Sequence, residues 1–124
     1  MASLAAGLRW LLLGSDDAWS ARVATGPMAI YTLALLTLAM HALDLATGIR
    51  MMLVYGIELE QNPIARAIMQ SAGPVGLIEA KLAVVGLGVL LFVRAAQVGR
   101  ARLARNCLVL AAGAGLLGFA SNLV

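Results

Sequence analysis

Residues 41–63 read HALDLATGIRMMLVYGIELEQNP, and how this stretch is read decides the fold. His41, Asp44, Arg50, Glu58, Glu60 and Asn62 lie inside or beside some of the most apolar sequence in the chain. Ionisable groups are costly in hydrocarbon, so in membrane spans they are paired or carry a task. The matching opposite charge is Lys81, embedded in a second apolar run. The pattern predicts membrane-crossing helices that meet at a polar cluster.

Composition agrees. Of 124 residues, 62% are hydrophobic and 12% charged, with a mean hydropathy of +0.94. A soluble domain is nearer to about half apolar and about a quarter charged. At roughly 20 residues per crossing there is room for three spans in one domain. The single cysteine, Cys107, excludes an intramolecular disulfide and a Cys-based zinc motif, and reads as a small packing residue.

Working outward, Gly26-Pro27 opens the first span, with Pro27 in the first turn, where a missing N–H costs little. The run from Met28 to Tyr55 exceeds one crossing, so the span, about 28–55, ends in the interface with Tyr55 as an anchor. A turn follows, and the sequence from Pro63 (PIARAIMQSA) predicts a short surface helix over 63–72. Its apolar side is Ile64, Ala67 and Ile68, with Arg66 and Gln70 opposite. Gly73-Pro74 separates it from a second span, about 75–96, which carries Glu79 and Lys81. A third span, about 103–123, is free of acidic residues and lysine. Its small residues Ala111, Ala114, Gly115, Gly118 and Ser121 recur at helical spacing, which allows close helix packing. Before these spans, residues 3–13 form an apolar segment interrupted by Arg9, too short to cross. Ala18-Trp19-Ser20 resembles a leader cleavage site, but the apolar core after Arg9 is too short for one. An interfacial helix with Trp10 at headgroup depth is the better reading. The expected fold class is therefore an all-α integral membrane protein: three transmembrane helices, an N-terminal interfacial helix and a short surface helix.

Net charge is +3. Its main source is Arg94, Arg100, Arg102 and Arg105, crowded into one connection without an acidic residue. Such a connection stays cytoplasmic. No aromatic platform accompanies these arginines, so the lipid bilayer and its anionic headgroups are the expected partner rather than nucleic acid. The 58–63 turn is then external. The N-terminus lies in the cytoplasm and the C-terminus outside, in the cell (inner or plasma) membrane.

Within the cluster, His41 and Asp44 are three apart and share a helix face. Lys81 lies seven residues beyond Pro74, about 10 Å into the second span at 1.5 Å per residue, a depth comparable to that of Asp44. An Asp44–Lys81 pair is the expected contact. The pattern Asp44-x-x-Thr47, Gly56-x-Glu58, Glu60-x-Asn62-Pro63, Gly73 and Lys81 resembles that of a small bacterial and archaeal membrane-protein domain of unknown function. That family has an Asp/Thr helix, a Gly-x-x-Glu-x-Asn-Pro turn and a second helix with Lys. The likeness covers about residues 40–90. Here the spacing from Gly56 to Glu60 is one residue longer than the family's. The resemblance implies the architecture and the weight of the cluster, and no activity.

The main reading is an accessory or interaction subunit, self-associating or joining other membrane subunits through the small-residue face at Ala111, Gly115 and Gly118. A buried Asp/Glu/Lys network would hold it together. The alternative is a proton- or ion-coupled carrier, or a ligand- or metal-binding protein, using His41, Asp44, Thr47, Glu58, Glu60, Asn62 and Lys81. One imidazole with carboxylates suits a transition metal, although Lys81 would repel a cation. No Ser/His/Asp or phosphate-loop constellation marks an enzyme. The sequence names no substrate or cofactor.

Overall fold

The computed structural model describes residues 24–123; the interfacial helix expected at 3–13 lies outside them. Helix α1 spans Pro27–Tyr55, with Pro27 in its first turn behind the Gly26 N-cap. It ends where Gly56 donates its backbone N–H to the Met52 carbonyl at 3.1 Å. A 3-10 turn, Ile57–Leu59, follows. Helix α2, Pro63–Gln97, begins on a side-chain cap: Asn62 Oδ1 accepts from the Ile64 and Ala65 backbone N–H groups at 3.0 and 3.4 Å. These satisfy donors that a helix start leaves unpaired. Helix α3 spans Ala101–Ser121. All three are long and apolar enough to cross a membrane, and the described residues contain no strand.

α2 is two limbs, 63–72 and 74–97, joined at a kink. Gly73 adopts φ 67°, ψ −166° ahead of Pro74, a conformation closed to most side chains, and Pro74 cannot donate to the ladder. The expected boundary at Gly73-Pro74 is this kink between the short helix and the second span. The short helix rests on the last turns of α1, with Met69 and the flanking Ile68 and Ala65 packed with Met52 and Leu77. Of the expected apolar side, Ile68 packs in this cluster, while Ile64 is 69% exposed and Ala67 is also exposed. The close spacing of Ile64, Ala67 and Ile68 did not reveal which side meets α1.

The helices form a bundle in which α1 and α3 run parallel and α2 runs antiparallel to both. Thr37 meets Leu108, Met40 and His41 meet Gly115, and Asp44 meets Gly118, so residue numbers rise together along the two helices. Two apolar clusters hold the ends. Ile30, Ala34, Val89, Ala104 and Leu108 fill the end near the α2–α3 loop. Met52, Met69 and Leu77 fill the end near the turn. The outward faces are mainly apolar, with Leu35, Val84, Leu110 and Leu117 strongly exposed, as suits hydrocarbon-facing sides. Between the clusters lies a polar layer.

Candidate functional site

The polar layer starts at Thr37, buried, whose hydroxyl lies 2.8 Å from the Leu33 carbonyl and 3.1 Å from the Leu108 carbonyl of α3. Its β-branched side chain can back-bond within its own helix while reaching a neighbour. Two turns further on, Asp44 is the hub. Its Oδ2 accepts from Lys81 Nζ of α2 at 2.5 Å. Its Oδ1 accepts from Asn122 Nδ2 at 3.0 Å, just past the end of α3. The same amide lies 3.1 Å from the Asp44 carbonyl and 3.2 Å from Thr47 Oγ1. The carboxylate thus has a charge-assisted partner on one oxygen and an amide on the other. All three helices converge on one side chain.

Two glycines permit this approach. A Cβ at Gly115 would stand 3.0 Å from backbone atoms of Met40 and His41. At Gly118 it would fall 2.6 Å from Asp44 Cγ and 2.9 Å from Oδ2. Of the predicted packing residues, Gly115 is buried, and Gly118 and Ala111 are half-buried. Gly115 and Gly118 serve the contact between α3 and α1 of the same chain, and Ala111 lies beside the His41 ring. Ala114 and Ser121, from the same stripe, are exposed.

The other predicted residues divide. His41 lines the layer with Nδ1 buried and without a hydrogen-bond partner among the described residues. Thr47 joins it through Asn122. Glu60 and Asn62 form a separate group at the turn. Glu60 Oε1 accepts from the Asn62 backbone N–H at 2.8 Å, while the Glu60 carbonyl accepts from the Arg66 guanidinium. Glu58 joins the turn group only through its backbone carbonyl. It is exposed, its carboxylate folds back over Gly56, and its carbonyl accepts from Arg66 at 3.3 Å. The expected buried Asp/Glu/Lys network is corrected accordingly. Asp44 and Lys81 keep 16% and 30% of their side-chain exposure, and Glu60 turns to local backbone partners instead. Among the described residues no three of His, Cys, Asp and Glu converge on a possible metal position. Sequence reasoning missed Asn122 and Thr37; an uncharged amide at the end of a span and a lone Thr in an apolar helix were the available signals.

A cavity of about 580 Å³ opens among α1, the kinked α2 and the end of α3. Leu45, Ile49 and Leu77 line it together with the polar His41, Asp44 and Lys81 of the layer and with Glu60 and Asn62 of the turn. Apolar walls with a few convergent polar groups are the usual composition of a small-ligand site.

By fold this is a small multi-pass helical membrane protein with one polar layer at the crossing of its helices. The chain belongs to the family described as DUF5658, a domain of unknown function, whose model matches residues 33–124. The match takes in the whole polar layer. No curated protein and no solved structure matches the chain.

Proposed function

We propose that the protein is an accessory or interaction subunit of the cell membrane, with its bundle fixed by Asp44, Lys81 and Asn122 so that its outer faces can meet other membrane helices. The observation that carries this reading is the direct contact between Lys81 and Asp44, with Asn122 on the second oxygen. A carboxylate engaged on both oxygens is poorly placed to exchange ions, and well placed to fix how helices pack. In this reading the arginines at 94–105 face the cytoplasm, the 56–62 turn and the C-terminus lie outside, and the ion pair sits at membrane depth.

A photo-crosslinking residue at Leu82, which is 62% exposed on α2, tests the role in native membranes. Discrete protein adducts are expected; adducts with lipid alone would sink the association role. A second reading, ligand binding or carriage, is favoured by the cavity beside Lys81. The same probe at Ile68, on the cavity wall, would then capture a small molecule.

A further inference from the structure

Glu79 and Arg50 are charges that the bundle does not use. Both are exposed, and neither makes an ion pair or hydrogen bond among the described residues. Glu79 is two residues from buried Leu77 and two from Lys81. Arg50 is two residues from buried Gly48 and two from buried Met52. At about 100° per residue, each therefore points to the side of its helix opposite the bundle. In spans, charged side chains face a bundle interior, a cavity or each other. Two opposite charges directed outward imply that the working interior is larger than one chain.

We propose that these charges dock a second copy of the chain, with Arg50 of one copy on Glu79 of the other. The inference rests on the association role above and names its partner. Depth permits the pairing. From the level of the Asp44–Lys81 contact, Glu79 is roughly 3 Å and Arg50 roughly 9 Å toward the turn, at 1.5 Å per residue. Helical side chains lean toward their own N-terminus. On antiparallel α1 and α2 this brings Arg50 down and Glu79 up, closing the offset.

Met52 and Leu77 pack together, so Arg50 and Glu79 point away from each other's helices, and the contact is head-to-tail: each copy gives Arg50 to one neighbour and Glu79 to another.

The test uses the full chain in lipid bilayers, labelled with two tags, and reads self-association by energy transfer. Glu79→Arg and Arg50→Glu should each weaken it by about tenfold or more, because like charges then face each other. Mixing the two variants should restore association between unlike copies, since each then offers the charge the other lacks. Full association of either reversal alone, or no recovery on mixing, overturns the proposal. Should a reversal fail to insert, Glu79→Gln must still weaken association without altering the monomer's thermal unfolding; unchanged association overturns it equally. A monomeric wild-type chain that still yields a discrete foreign adduct from Leu82 overturns this inference and leaves the association role standing. Lipid adducts alone overturn both.

Discussion

Replacing Gly118 with Ala adds one methyl group at the most constrained point of the bundle. Two effects oppose each other. In a helix interior, Ala is favoured over Gly by about 1 kcal/mol. Against this, the new Cβ would stand 2.6 Å from Asp44 Cγ, well inside contact distance. The carboxylate cannot simply swing aside, because Lys81 holds one oxygen at 2.5 Å and Asn122 the other at 3.0 Å. Displacing it weakens both contacts, and breaking a buried pair costs about 3–5 kcal/mol. Lys81 keeps 30% exposure, which favours the low end, so the net loss is about 2 kcal/mol. Gly113→Ala, on the same helix, is the control: its Cβ meets nothing within 4 Å, and the variant should gain up to about 1 kcal/mol. Unfolding free energies from detergent titration in mixed micelles would separate the two by about 3 kcal/mol. The Gly118→Ala penalty should also shrink in an Asp44→Leu background, since the obstructing carboxylate is gone. If Gly118→Ala proves as stable as Gly113→Ala, the crowding argument fails.

Thr37→Val keeps the shape and removes the hydroxyl that reaches Leu108. It should cost about 0.6–1.7 kcal/mol, the range of interhelical hydrogen bonds in membranes, read from the same titration. Asn122→Asp should destabilise more than Asn122→Ala, because it sets a second carboxylate against Asp44 Oδ1, and the order of their unfolding midpoints checks this. In a Cys107→Ala background, a cysteine at Gln61 should react with an impermeant thiol reagent on intact cells; reaction only after permeabilisation would invert the proposed orientation.

Three spans were legible because apolar runs of the right length are separated by proline, glycine and an arginine-rich connection. The Asp44–Lys81 contact was legible because each is a charge in an apolar run, and helical rise places them at one depth. Asn122 was not, since an amide near the end of a span resembles an ordinary terminus until α3 is known to run parallel to α1. The small residues of α3 announced close packing but not its partner, which is α1 of the same chain at Gly115 and Gly118. Glu60 escaped because its partners are local: the Asn62 N–H and Arg66, brought to it by the turn. The seating of the 63–72 limb depended on the φ of Gly73, which rotates the limb against the rest of α2. No periodicity within the limb encodes that angle.

Asp44 and Lys81, in direct contact, are expected to act as one unit in holding the bundle. A double-mutant cycle with Asp44→Leu, Lys81→Leu and the double variant measures it directly. Each single change leaves its partner charged and unpaired in the layer, at a cost of about 3 kcal/mol. The double variant replaces the pair with apolar side chains and should recover most of the loss, giving a coupling of about 2–3 kcal/mol. Losses that simply add in the double variant would contradict the account.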